Sequence, residues 1–246
     1  MKTISIIALK GGVGKTITAI NMAHILATRC GQRVLLVDND KQGNTSKFFD
    51  AHSYERPSTA DILTVRGIQL RQIIRTTLYK SLDVLPANMH LLNANLATML
   101  DQTRPQQTRF RAALNQIEGA YDYCIIDNAP DINISTINAL VASDEVIIPI
   151  TVDEFALDGL KELLEQIGTT REELNPNLRY LGCLITAYRK KDTHGRGWPE
   201  SAFTTKIRWS SKVTESTFAK TPIADYSRNS AAAVDYIRFV TEYLKK

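Results

Sequence analysis

Lys10-Gly11-Gly12-Val13-Gly14-Lys15-Thr16 follows a largely apolar run at 4–9 and opens a stretch of helical period. A glycine-rich loop between a strand and a helix is the context a phosphate-binding loop requires. Glycines let backbone N–H groups close around phosphate oxygens where a Cβ would block the approach. Lys15 then bridges the β- and γ-phosphates, Thr16 ligates Mg²⁺, and the helix dipole adds partial positive charge. The bland alternative is a Gly-rich turn without a ligand. The generic pattern G-x-x-x-x-G-K-[ST] does not fit, because its first glycine falls on Leu9; the pattern present is K-G-G-x-G-K-T.

Outward from this loop, apolar runs of strand length alternate with helical periods almost to the end of the chain, the pattern of parallel strands joined by crossover helices. Strands are predicted over 3–9, 33–38, 82–86, 121–127, 145–150 and 180–187. Helices are predicted over 15–29, 68–78, 89–99, 105–117, 132–142, 157–170 and 230–244. Most strands are apolar throughout, as expected where helices cover both faces. The fold class is therefore α/β, a mostly parallel twisted sheet with helices on both faces, read as one domain over 1–246. Residues 189–198 carry two glycines and several charges and read as an exposed loop.

The totals agree: 246 residues with 43% hydrophobic can bury a sizeable core. Cys30, Cys124 and Cys183 are odd in number and far apart, which suggests neither a disulfide framework nor a zinc site and fits a reducing cytosol. The first apolar run is too short for a signal-peptide core, and nothing reaches the roughly 18 apolar residues of a membrane span.

Two further strand ends are acidic. Asp38-Asn39-Asp40-Lys41-Gln42-Gly43-Asn44 follows the second strand, and its two carboxylates, one residue apart, would face the crevice at the carboxyl ends of the strands. An Asp-Asn-Asp turn with local backbone bonds is the alternative. The run at 121–130 ends a buried strand in Asp127, followed by Asn128-Ala129-Pro130. In order, the three segments resemble the deviant Walker A family, which includes ParA, MinD and the nitrogenase iron protein. The resemblance implies an ATP- and Mg²⁺-dependent ATPase with weak intrinsic turnover. It also implies that Lys10 reaches across a nucleotide sandwich dimer to phosphates held by the other subunit, so that activity depends on dimerisation. By the same resemblance Asp40 positions or activates the attacking water, Asp38 supports the Mg²⁺ shell near Thr16, and Asp127 holds Mg²⁺ through water. Four positions depart from the pattern. Leu9 stands where a polar residue is common, Ile17 replaces a hydroxyl and leaves only its backbone for the α-phosphate, Lys41 replaces proline, and Asn128 replaces a small hydroxyl or cysteine.

Similarity covers nearly the whole chain. Its last match places a loop beside the adenine, so Thr221, Pro222 and Ile223 are expected base contacts. Of the rivals, an iron protein needs bridging cysteines, whereas Cys124 lies inside a buried strand. A MinD-like protein should end in a basic amphipathic helix, whereas 234–246 carries three basic residues and reads as a core-packed helix. A metabolic P-loop enzyme could share all three motifs and would need a second substrate pocket. The longer ParA proteins carry a DNA-reading domain before this one; none is read here.

Net charge is +4, yet 188–220 holds Arg189, Lys190, Lys191, Arg196, Lys206, Arg208, Lys212 and Lys220 against three acids. Among these, Arg189, Lys190, Lys191, Arg208 and Lys212 are the candidate contacts to duplex DNA of any sequence, through phosphates. A solvated polar face is the alternative. Together with the resemblance this yields a partition switch: a homodimer on ATP, bound to non-specific DNA, released after hydrolysis stimulated by a small ParB-like adaptor, cytoplasmic and nucleoid-associated, with no membrane partner.

Overall fold

The computed structural model describes residues 1–151, 154–189 and 201–246. Seven strands form a single sheet: β1 (Lys2–Ile6), β2 (Val34–Asn39), β3 (Arg75–Thr76), β4 (Leu82–Leu85), β5 (Tyr123–Asn128), β6 (Glu145–Ile150) and β7 (Arg179–Ile185), in the order β3-β4-β2-β5-β1-β6-β7. All neighbours pair in parallel except β3 with β4. Every residue of β2 and β6 is buried, which explains their unbroken apolar runs.

Period-two alternation sends the strands' side chains to the two faces of the sheet, where they enter three clusters. On one face Ile4, Ile6, Leu36, Ile125 and Leu184 meet α1 (Lys15–Thr28), α10 (Ile223–Tyr226) and α11 (Ala231–Tyr243). On the other, Leu35, Val37, Leu85, Cys124 and Ile126 meet α3 (Thr59–Thr64), α5 (His90–Leu100), α6 (Arg109–Leu114) and α7 (Ile134–Ala142). Val146, Ile148, Cys183 and Ile185 pack with Leu160, Leu163 and Ile167 of α8 (Glu154–Glu173). The closing helix is core-packed as expected, with Tyr236, Phe239 and Val240 buried. Cys124 and Cys183 are buried thiols.

The helix predicted over 68–78 is a correction. Only one turn forms, α4 (Leu70–Ile73), and the chain then becomes the antiparallel edge strand β3. The Arg75 guanidinium bonds the carbonyls of Gln72, Ile73 and Ile74, closing the helix end. The β-branched residues at 73–77 suit an extended edge as well as they suit a helix. Among the described residues, four further short helices form where the sequence predicts none: α2 (Asn44–Phe48), α3, α9 (Ser211–Phe218) and α10.

Candidate nucleotide site

The quoted loop joins β1 to α1 at the carboxyl edge of the sheet. Order reverses there, since the chain leaves β1 for β2 on one side and reaches β6 on the other, and that is where open α/β sheets bind ligands. Gly12 and Gly14 adopt φ of 77° and 85°, and Gly14 caps the helix in the left-handed region. Other residues resist that conformation. Thr186, at the end of β7, donates to the carbonyls of Val13 (2.8 Å) and Ile150 (3.0 Å), anchoring the loop to two neighbouring strands.

Lys15 is 8% exposed, and its Nζ donates to the Lys10 carbonyl at 3.2 Å, folding the loop over itself. Burial lowers its pKa, while Asp127, Asp40 and Asp131 pull it back up. The loop's main cation thus sits among three carboxylates, a balance that anionic phosphate oxygens would enter directly. Lys10 and Ile17 are half-buried; Ile17 lines the cavities on both sides of the loop.

Parallel register sets Asp38 of β2 directly beside Asp127 of β5. Both are buried at the sheet's edge. Desolvation pushes both carboxyls well above the ordinary range, and for Asp127 the neighbouring charge of Asp38 adds to the rise. Their hydrogen bonds divide their tasks. Asp38 Oδ2 accepts from Ser46 N–H (2.8 Å) and Ser46 Oγ–H (2.6 Å), and Oδ1 accepts from Asp40 N–H (3.1 Å), so Asp38 holds the loop that presents Asp40. Asp127 Oδ2 accepts from Thr45 Oγ at 2.8 Å, and the Thr16 hydroxyl also bonds this carboxylate. Asp127 Oδ1 is buried and has no protein partner. An orphaned carboxylate oxygen beside Thr16 suits a hard cation bound through water.

Asp40 is half-buried; its Oδ1 accepts from Gln42 N–H (2.9 Å) and its carbonyl from Gly43 N–H (2.8 Å). Gly43 has φ of 64°, and a Cβ there would meet the Ala87 carbonyl at 2.9 Å. Lys41 reaches Asp131 at 3.4 Å, tying the loop after β2 to the loop after β5. Thr45, Ser46 and Thr186 escaped sequence reading; the one local signal was the polar Asn44-Thr45-Ser46 run straight after the acidic segment.

A cavity of about 240 Å³ opens beside Gly12 and Gly14, walled by Thr186, Arg208, Trp209, Ser210 and Val213. The expected base contacts Thr221, Pro222 and Ile223 are not among the residues that wall it. Ile223 is wholly buried, and its N–H donates to Asn21 Oδ1 of α1 at 2.8 Å. Pro222 is buried too, and Thr221 Oγ turns back to the Ala219 carbonyl.

The candidate DNA contacts divide. Tyr188 bridges Arg208, which brings Arg189 and the 207–209 segment together, and the Arg189 guanidinium stacks 4.4 Å from the Trp209 ring centroid. Arg208 itself is held by Asp235, with Nε to Oδ2 at 2.8 Å and Nη2 to Oδ1 at 2.7 Å, and Lys212 pairs with Glu215 at 2.7 Å. Lys190 and Lys191 lie outside the described residues.

Residues 1–180 match the AAA domain family. The chain is 32% identical to the chromosome partitioning protein ParA of Caulobacter vibrioides, covering 100% of this chain and 95% of that protein. It is 33% identical to the sporulation initiation inhibitor protein Soj of Bacillus subtilis, covering 98% and 97%. Among solved structures, cobyrinic acid a,c-diamide synthase from Mycobacterium smegmatis, with ADP and magnesium, superposes with a TM-score of 0.83 at 25% identity, covering 100% of this chain and 94% of that one. A putative plasmid partition protein from Borrelia burgdorferi, bound to AMPPNP, superposes with a TM-score of 0.83 at 24% identity over 99% and 98%. The fold is thus shared between a synthase and a partition protein, and sequence likeness over the full length decides between them: the chain belongs to the ParA-like partition ATPases of the deviant Walker A type.

Proposed function

We propose that this chain is an ATP-driven dimerisation switch for DNA partition, and that the pairing of Lys15 and Thr16 with the half-satisfied Asp127 is its nucleotide and Mg²⁺ site. The observation that carries the reading is the buried, unpartnered Asp127 Oδ1 beside the Thr16 hydroxyl, at the foot of a glycine loop in left-handed geometry. Glycine N–H groups and Lys15 would bind the phosphates, and Thr16 and Asp127 would hold Mg²⁺, which when bound would offset phosphate charge. Asp40, steadied by Asp38 through its own N–H, orients the attacking water. Lys10 completes the partner's site in the dimer, and the cavity beside Trp209 receives the base. The dimer presents Arg189, Lys190, Lys191, Arg208 and Lys212 to duplex phosphates and releases them after hydrolysis stimulated by an adaptor protein, in the cytoplasm on the nucleoid. Among the described residues no helix is long and apolar enough to cross a membrane.

Binding of fluorescent ATP to Lys15→Ala tests the site: affinity falls about 10- to 100-fold, as for a charge-assisted contact removed, and unchanged affinity refutes it. Turnover with duplex DNA or with small carboxylates separates the switch from a synthase. Stimulation by a carboxylate and indifference to DNA would establish the metabolic alternative.

A further inference from the structure

From 84 to 100 the chain carries no Asp, Glu, Lys or Arg. Within that stretch α5 turns Leu91, Ala94, Asn95 and Thr98 inward. Its outward face holds Met89, Leu92, Leu96, Met99 and Leu100, exposed from 40% at Met89 to 81% at Leu100. Spacings of three, four and three residues along 89, 92, 96 and 99 make an apolar ridge of the kind that seats into another helix. Folding does not need this ridge. The helix is fixed from its buried side, where Asn95 Oδ1 accepts the N–H of Ser135 at 3.0 Å and Thr98 Oγ donates to the Leu63 carbonyl at 3.4 Å. An exposed apolar stripe without folding duties marks a contact surface.

The geometry points to the ridge of α5 as a docking seam for a short amphipathic helix of another protein, apolar along its docking edge and neutral at its flanks. Charge selects this occupant. A helix lying on an anionic membrane carries Lys or Arg beside its apolar face, and this stretch has none. Partners chosen by flanking charges need charged positions next to the ridge, and the exposed positions beside it on α5 are His90, Asn93 and Ala97, none of them Asp, Glu, Lys or Arg. Size argues against a second copy. The ridge is about 16 Å long at about 1.5 Å per residue and one helix wide, far below the roughly 800 Å² per partner of a stable pair. α5 also starts at the carboxyl end of β4 and runs back along the sheet, which carries Met99 and Leu100 away from the edge where the phosphate loop lies. The inference rests on the ridge and not on the ATPase reading.

The test uses the full chain and a labelled synthetic peptide of three heptads, with leucine at each first and fourth heptad position and alanine, glutamine or serine elsewhere. A scrambled peptide of the same composition is the control. Fluorescence anisotropy should show micromolar binding of the patterned peptide alone, equal at low and high salt because no charges take part. Leu92→Glu with Leu96→Glu should weaken it at least 10-fold, while ATP affinity, circular dichroism and Tm stay as in the parent. Equal binding of the scrambled peptide, or undiminished binding to the double variant, overturns the seam. Sedimentation showing that the substitutions dissolve a pre-existing self-dimer assigns the ridge to a second copy instead. Flotation with phosphatidylglycerol vesicles in the absence of peptide binding assigns it to membrane. Either result also overturns the proposal.

Discussion

Asn39 Nδ2 donates to Asn128 Oδ1 at 2.8 Å across β2 and β5, one register position beyond Asp38 and Asp127. Asn39 also donates to the Ser135 carbonyl, and Asn128 to the carbonyls of Ile6 and Ile126. The two amides therefore stitch β1, β5, β2 and the start of α7 together just behind the acidic pair. Asn128, the departure from the family pattern that sequence alone left unexplained, has its reason in this pairing.

Asn128→Ala leaves the buried Asn39 amide without one acceptor and removes the side-chain donations to the buried Ile6 and Ile126 carbonyls. The cost expected is about 2 kcal/mol. Thermal unfolding should register it as a Tm lower by about 4–8 °C; a Tm within a degree of the parent would mean the amides are not coupled.

Asp40→Ala should bind ATP as the parent does and hydrolyse it roughly 100-fold more slowly, since water positioning acts in the transition state and need not help ground-state binding. Single-turnover assays beside equilibrium binding separate the two effects. Dimers should accumulate with ATP, and sizing that finds only monomers counts against the role.

Lys10→Ala behaves differently. Its backbone carbonyl, the acceptor for Lys15, is retained, so nucleotide still binds the monomer. What fails is ATP-dependent dimerisation, read by sedimentation velocity; dimers at parental strength would reduce Lys10 to a loop residue.

The acidic pair makes stability depend on pH in an unusual direction. Desolvation raises both carboxyls above their unfolded values near 4. At this pair the folded protein then holds more protons than the unfolded chain, so the pair's contribution to stability is greatest at low pH and falls as pH climbs from about 4 towards neutrality, opposite to that of Asp101 and Asp122, whose carboxyls are held low by hydrogen bonds. Each full unit of that climb costs up to about 1.4 kcal/mol per carboxyl. Differential scanning in chelator should show the parent's Tm falling relative to that of Asp127→Asn over this window. Mg²⁺ with ATP should restore Tm at neutral pH by favouring the charged form; a difference between parent and Asp127→Asn that does not change with pH in chelator would contradict the assignment.

What the amino-acid sequence determined was everything set by near neighbours. The glycines that must take positive φ, the helix opening at Lys15, the apolar runs buried on both faces and the acids closing β2 and β5 each depend on a few consecutive residues. The α/β class follows from their order. Periodicity failed at 68–78, where Ile73, Ile74, Thr76 and Thr77 satisfy a helix and an edge strand alike, and only pairing with β4 decides. Tertiary structure alone decided the partnerships across strands. Parallel register sets Asp38 beside Asp127 and Asn39 beside Asn128, residues 89 positions apart in each pair. Packing of α10 onto α1 buried Ile223 and left the 207–214 segment to wall the cavity beside the phosphate loop. Such choices are sums of desolvation and hydrogen bonding over distant groups, and no local pattern carries them.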